Sequence, residues 1–349
     1  MLARGAGVFL ASLQGLLSVK GQDWDTLLAL PGCETIAPDS LYAWVFAYDR
    51  RAALLDTLTC GRLYHLRAVE ESPFLNEVTP PGRWHPFGLA YRPPHLWFLH
   101  GPVQQPTEVW RYRWDGGHLH SPRVWRHPGF VSLQAIEPLD SVRFYVANDR
   151  KGRHRWHLVV GFFVRRVRSS LYYCEGDTCH LAADRIPYAS GLCYLPSQGW
   201  LVVSVAFRRA LWLYAPQGNR LAWIGKVRLA GYPDNLTRMS DSTLWVVCHR
   251  RLGGWARSLA FGGARSSWSI VEVRFAENRP PQTRLLYAAP KRYSTASQAV
   301  VIGPYIYVGS VFEPYLLRLK AAEAIPADAL PASTSGTPRE RQPEGPSAK

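Results

Sequence analysis

Helical patterns are scarce in this chain of 349 residues. Apolar residues spaced by three and four positions persist over few stretches, which argues against a helical bundle. Aromatic residues are abundant by contrast, with 14 Trp, 17 Tyr and 13 Phe. They lie in aromatic and β-branched runs separated by Gly and Pro, a pattern typical of short strands and turns. We therefore expect an all-β protein.

Acidic residues are also in short supply, since 26 Asp and Glu stand against 41 Lys and Arg, for a formal net charge of +15. Such a charge favours anionic partners. The arginines are nevertheless scattered through the chain, as on a solvated basic surface. No RNA-binding signature, zinc-finger spacing or helix-turn-helix pattern accompanies them. We expect no nucleic-acid partner.

The apolar stretch near the N-terminus is too short to span a bilayer. It runs from Gly7 to Val19 and contains Gln14. It fits a secretory signal loosely, because no small-x-small cleavage site follows it, and a helix packed on the domain is the alternative. Residues 1–27 are thus predicted to be an apolar helix or a signal or anchor. A secreted or membrane-associated protein is expected, with a cytoplasmic location left open. Residues 321–349 are predicted to be a disordered tail.

The six cysteines do not form the framework of a disulfide-rich protein in a chain of this length. Cys174 and Cys179 flank a predicted hairpin tip, which allows a cross-strand bridge. A zinc site that adds His180 is the weaker alternative, because two further ligands have no source. Cys193 and Cys248 lie in apolar strands and are predicted to be buried free thiols.

An apolar strand that follows a turn recurs six times, at intervals of about 50 residues, which is the size of a four-stranded propeller blade. We predict a six-bladed β-propeller over residues 28–320. The strand before each turn begins with small or polar residues, and in a propeller these six beginnings meet at one mouth of the central channel. The recurring strands are marked by Trp44, Trp97, Tyr145, Val202, Val246 and Val308.

One segment departs from the β pattern. Residues 150–168 place apolar side chains at helical spacing among many arginines, although Gly161 weakens a helix. We predict a short amphipathic helix that acts as a lid over the channel mouth. Contact of this segment with a membrane surface is the alternative.

The order and spacing of several motifs over roughly residues 28–320 resemble the paraoxonase/arylesterase family of calcium-dependent six-bladed propellers. Strictosidine synthase and gluconolactonase-like propellers are more distant relatives of the same kind. The motifs are Leu30-Pro31-Gly32-Cys33, His85-Pro86-Phe87-Gly88-Leu89, Phe144-Tyr145-Val146-Ala147-Asn148-Asp149, Tyr188-Ala189-Ser190-Gly191-Leu192, Asp234-Asn235-Leu236-Thr237, Leu244-Trp245-Val246-Val247-Cys248-His249 and Gly309-Ser310-Val311-Phe312.

The resemblance implies an axial calcium ion bound by oxygen ligands. Asp234 and Asn235 match the family pattern, and Leu89 stands at the position of a backbone carbonyl ligand. Departures occur at three further positions, where Pro38 replaces a Glu, and Gln134 and Ser190 each replace an Asn. A second, structural calcium would use Asp39, but its other position is Ala135, so this ion is expected to be absent.

The same resemblance implies a histidine dyad as general base. The family positions align with Phe87 and Gly101, and His85 and His100 are the nearby candidates. A structural role for both histidines is the alternative, because a shift along a strand moves a side chain out of reach. A family disulfide would use Cys33, whose partner position is Arg318, so ring closure is expected to be non-covalent.

Two functions follow. The first is hydrolysis of lactones or aryl esters, with a small hydrophobic ester or lactone as substrate and calcium as cofactor. The second is a catalytically degenerate propeller that serves as a binding or scaffold protein, since fold alone does not carry function.

Overall fold

The structure is a computed structural model, and it describes residues 26–324 apart from 29, 31, 40, 50–59, 68–73, 81–83, 102–105, 121, 150–166, 256–265, 278, 290–292 and 294. It is a six-bladed β-propeller, and each blade is a four-stranded antiparallel sheet. The predicted fold class is confirmed. The predicted lid helix and nearly all of the N-terminal segment lie outside the described residues. No helix among the described residues is long and apolar enough to cross a membrane.

The strands of the first three blades follow the chain from the innermost strand outward. Blade 1 consists of β2 (Ile36–Asp39), β3 (Tyr42–Ala47), β4 (Arg62–Arg67) and β5 (Phe74–Glu77). Blade 2 consists of β6 (Pro86–Arg92), β7 (His95–His100), β8 (Glu108–Arg113) and β9 (Arg123–Trp125). Blade 3 consists of β10 (Leu133–Pro138), β11 (Arg143–Asn148), β12 (Ser169–Glu175) and β13 (Thr178–Ile186).

The other three blades repeat this order. Blade 4 consists of β14 (Ala189–Leu195), β15 (Trp200–Val205), β16 (Ala210–Gln217) and β17 (Arg220–Arg228). Blade 5 consists of β18 (Tyr232–Ser240), β19 (Thr243–His249), β20 (Trp268–Arg274) and β21 (Gln282–Ala288). Blade 6 consists of β22 (Ala296–Ile302), β23 (Tyr305–Ser310), β24 (Leu316–Lys320) and, as its outermost strand, β1 (Thr26–Leu28).

The ring closes without a covalent link among the described residues. The N-terminal strand β1 pairs with β24, and Thr26 lies opposite Arg318. Cys33 is a free, buried cysteine, and its thiol donates to the backbone oxygen of Leu30 at 3.0 Å. Strand β1 begins at Thr26, which lies inside the segment 1–27 that was predicted to be an apolar helix or a signal or anchor. Ala321–Ala324 form a short helix directly after β24, at the start of the segment assigned to the tail.

The core lies between blades. Six large clusters of buried apolar side chains each combine residues of two neighbouring blades. In one of them the Trp44 ring of blade 1 meets the Trp114 ring of blade 2 edge-on, with centroids 4.9 Å apart. The second strand of each blade is buried on both faces, because neighbouring blades cover it on either side. The six apolar strands that recur in the sequence are these second strands, and burial on both faces is the reason that they are apolar almost throughout.

Cys174 and Cys179 lie opposite each other in the β12–β13 hairpin and form a disulfide. The disulfide removes the zinc alternative, because both thiols are used. Cys193 and Cys248 are buried and free, as expected from their apolar strands.

Candidate functional site

A cavity of about 250 Å³ follows the inner strands around the propeller axis. It is lined near one end by Thr35, Gly88 and Gln134, and near the other by Pro38 and Arg92. The inner strands crowd the axis where they begin. A Cβ atom at Gly88 would lie 3.1 Å from the backbone oxygen of Gln134. We call the end at which the inner strands begin the upper mouth, and the end at which they finish the lower mouth.

Polar side chains from several blades meet near the upper mouth. The Gln134 side chain of blade 3 donates from Nε2 to Glu34 Oε1, at the beginning of blade 1, over 2.8 Å. Gln298 Oε1 accepts from the backbone N–H of Ile36 at 2.9 Å, and its Nε2 donates to Thr237 Oγ1 at 3.3 Å. Blades 1, 3, 5 and 6 are therefore linked through side chains at the axis. The convergence of strand beginnings expected from the repeat is present.

Glu34 is an axial carboxylate that the sequence did not point to. The resemblance assigned the first-blade acid position to Pro38 and took Asp39 as a ligand. Both residues lie at the lower mouth, because β2 ends at Asp39 and turns into β3. Asp39 Oδ2 lies 3.6 Å from His65 Nε2. Counting back one seven-residue inner strand from Asp39 would have pointed to the region of Glu34.

The two residues of the Asp-Asn pair face different surroundings. Asp234 is buried, and its Oδ2 lies 3.4 Å from Nε2 of the buried His249. The His249 ring stacks on Trp255 with centroids 4.4 Å apart. Asn235 lines the axial cavity and donates from Nδ2 to Ser297 Oγ at 2.7 Å. Of the pair, only Asn235 lines the cavity.

Leu89 lies in the wall of the channel, and Ser190 lies in the contact between blades 4 and 5. Ser190 is buried and donates its hydroxyl to the backbone oxygen of Pro233 at 3.1 Å, which links blade 4 to blade 5. Leu89 lines the cavity, and its buried side chain packs in the interface between blades 1 and 2. Next to Ser190, a Cβ atom at Gly191 would lie 2.9 Å from the backbone oxygen of Asp234. Blades 4 and 5 therefore touch through backbone at this level.

The two candidate histidines lie together at the upper end of blade 2, where both are buried beside the residues that line the cavity. His85 precedes β6 and His100 ends β7, so antiparallel pairing of Pro86 with His100 brings them side by side. Their ring centroids are 6.1 Å apart. His85 Nδ1 lies 3.0 Å from the Tyr48 hydroxyl, and the backbone N–H of His85 donates to His100 Nδ1 at 3.4 Å. Burial lowers the pKa of His100; Glu108 opposes this effect and His85 adds to it, so the neutral form of the ring is favoured.

The described donor set does not fit the implied calcium ion. Calcium takes six to eight oxygen ligands, with carboxylates supplying the charge. At the upper mouth, among the described residues named above, Glu34 offers a carboxylate, and an N–H donor of Gln134 occupies one of its oxygens. Glu137 lines the cavity at the other end. Asp39 lies at the lower mouth and Asp234 faces His249. No group of three or more His, Cys, Asp and Glu able to hold a metal occurs in the described part of the chain.

The lower mouth carries a second set of charges. Glu137, Arg92 and Arg238 line this part of the cavity. Burial raises the pKa of Glu137 to about 7, against the opposing effects of the Tyr194 backbone N–H and the two arginines. The arginines donate to backbone, Arg92 to Pro138 at 3.3 Å and Arg238 to Tyr194 at 3.2 Å. This glutamate therefore changes its charge near neutral pH.

Comparison with known proteins finds likeness in fold at low sequence identity. A luciferin-regenerating enzyme matches with a TM-score of 0.54 at 14% identity, over 84% of this chain and 92% of its own. A protein described as a gluconolactonase matches with a TM-score of 0.53 at 14% identity, over 83% of this chain and 89% of its own. A protein described as a hypothetical selenium-binding protein from Sulfolobus tokodaii matches with a TM-score of 0.50 at 8% identity, over 84% of this chain and 69% of its own.

No protein-family model matches the sequence, and no curated protein sequence matches it. Likenesses of this kind establish the fold and no more. The chain is a six-bladed propeller whose structural neighbours include a protein of the gluconolactonase type.

Proposed function

We propose that this propeller hydrolyses lactones or aryl esters at its upper mouth, as its resemblance to paraoxonases implies. The observation that carries the proposal is the hydrogen-bonded group of Tyr48, His85 and His100, which lies at the same end of the blades as the converging side-chain amides. A neighbour of the gluconolactonase type shares the fold, which supports the choice of reaction class.

In this proposal His85 is the general base. When His85 Nδ1–H donates to the Tyr48 oxygen, Nε2 keeps the lone pair that can take a proton from water. His100 Nδ1 accepts the His85 backbone N–H, so the proton of its neutral ring is on Nε2. Tyr48 and His100 thus orient His85, and His85 activates the attacking water.

The side-chain amides of Gln134 and Asn235 are proposed to stabilise the oxyanion. Each amide nitrogen carries two hydrogens, and the hydrogen bonds to Glu34 and Ser297 use one of them. The second is available to the substrate carbonyl oxygen as negative charge develops there. Water then adds to the carbonyl carbon, the ring or ester C–O bond breaks, and the leaving oxygen takes the proton back from His85.

Strand geometry is compatible with this division of roles. His85 comes three residues before Gly88, which lines the cavity beside Gln134. Three extended residues span roughly 10 Å. A histidine side chain, a water and a carbonyl group bridge such a distance, which favours a small ring or a compact ester as substrate. No step uses calcium, because the described donors do not fit the ion.

The test is hydrolysis of a γ-lactone and of phenyl acetate by the full chain. His85→Gln is expected to lower kcat/KM at least about 100-fold. Tyr48→Phe is expected to shift the pH profile while the fold is retained. The exposed His180 of β13 supplies the control, since His180→Gln should leave kcat/KM unchanged.

Two outcomes would overturn the proposal. One is an absence of turnover by the wild-type chain, and the other is a folded His85→Gln variant with full activity. A chelator tests the metal separately. Activity and melting temperature that survive it agree with the amide mechanism, and loss of both would assign the oxyanion to calcium.

A further inference from the structure

The rim of blade 4 carries a groove that the proposed hydrolysis does not use. Its cavity measures about 580 Å³, and we call it the blade 4 groove. Cations and indole rings dominate its wall, and none of the lining residues is acidic. The lining side chains that matter here are Arg208, Arg209, Trp212, Trp223, Lys226 and Arg228.

A β-bulge shapes the groove. Leu213 pairs with Gly225 but Tyr214 pairs with Trp223, so Ile224 is an extra residue in β17. The bulge shifts Trp223 onto the face that carries Lys226. Trp223 is 55% exposed, so its indole ring is open to a ligand in the groove.

The positive charge of the groove is uncompensated by described carboxylates. Arg208, Lys226 and Arg228 are exposed, and none of them forms an ion pair with a residue that the structure describes. Arg209 is held in place, because its guanidinium donates to the Tyr232 hydroxyl at 2.8 Å and lies 4.4 Å from the centre of that ring. Clustered cations around a concave surface create a positive potential that attracts an anionic ligand.

Strand β17 also has a free edge. It is the outermost strand of its sheet and pairs only with β16 among the described strands. An extended peptide can add to such an edge through backbone hydrogen bonds and place alternate side chains against the sheet.

We propose that the blade 4 groove binds a short acidic segment of a partner protein. Its carboxylates pair with Arg208, Lys226 and Arg228, and an apolar side chain between them rests on Trp223. A peptide fits better than single-stranded nucleic acid, which stacks successive bases on several exposed aromatic rings. The concave wall also fits a peptide better than a lipid surface, which favours protruding apolar side chains.

The experiment measures fluorescence anisotropy of a labelled ten-residue peptide of glutamates with one central Phe. The full chain is expected to bind it, and the same peptide with Gln for Glu is expected to bind at least about tenfold more weakly. Binding should weaken with added salt. The double variant Lys226→Glu/Arg228→Glu should lose at least about tenfold in affinity, and Trp223→Ala about fivefold.

A matched control separates the groove from net charge. Arg113 is exposed on β8 of blade 2 and Arg251 is exposed just after β19 of blade 5, and Arg113→Glu/Arg251→Glu changes the total charge by the same amount. This control is expected to keep the wild-type affinity within about twofold. Equal loss in both double variants would overturn the proposal, as would an absence of peptide binding. Tighter binding to oligodeoxythymidine or to anionic phosphatidylserine vesicles would overturn it too, in favour of those partners.

Discussion

Glu137 at the lower mouth makes the stability of the propeller depend on pH in an unusual direction. Its pKa rises from 4.5 to about 7, chiefly because it is buried. The folded state therefore holds a proton that the unfolded state releases, and ∂ΔG/∂pH for unfolding is negative between these two values. The stabilisation is complete below pH 4.5 and is lost as the pH rises through 7.

The size of the effect follows from the same two values. At about 1.4 kcal/mol for each pH unit, the rise corresponds to roughly 3.4 kcal/mol. The side chain is partly exposed to the channel, so solvent screens it and we expect about 1–2 kcal/mol. Glu137→Gln removes the ionisable group and keeps the shape. The variant should exceed the free energy of unfolding of the wild type only slightly at pH 5 and by this amount at pH 8.

Urea unfolding at pH 5, 6, 7 and 8 measures the difference, with the slope m monitored for two-state behaviour. Glu277→Gln is the control, since Glu277 is exposed and its replacement should leave the pH dependence of the wild type intact. A Glu137→Gln variant whose stability keeps the wild-type pH dependence would refute the assignment of this effect to Glu137.

Two further predictions concern the packing. Gly191→Ala places a Cβ atom 2.9 Å from the backbone oxygen of Asp234, so it should lower the free energy of unfolding by about 1–3 kcal/mol. Gly225→Ala, with nothing within 4 Å, should cost far less, and similar losses for the two in urea unfolding would contradict the close contact. A thiol reagent should modify only Cys60 in the native chain, since the other free cysteines are buried. After unfolding it should modify all four free cysteines. Fast labelling of a second cysteine in the native chain would contradict this burial. The three buried free thiols are Cys33, Cys193 and Cys248.

The sequence predicted blade positions well because burial on both faces leaves a strong local pattern. Trp44, Trp97 and Val246 each lie in the middle of an apolar run, and each run is the second strand of a blade. The hairpin of Cys174 and Cys179 was also readable, because its two strands are adjacent in the chain.

The axial residues were harder to identify. The inner strand of blade 1 is only four residues long, so its polar end at Asp39 resembled a strand beginning. Glu34 was missed for this reason, and its contact with Gln134 joins positions 100 residues apart. A shift of a few residues along a strand is invisible in composition, yet it moves a carboxylate from one mouth to the other.

The sequence by itself determined that this chain is a ring of six β blades, because each blade repeats the same local alternation of turns and apolar strands. Only the tertiary structure decided which polar side chains face the axis, how Tyr48 and His100 flank His85, and where a bulge turns Trp223 outward. These features depend on register and on contacts between blades. Such contacts form between segments that are far apart in the chain, so no local pattern encodes them.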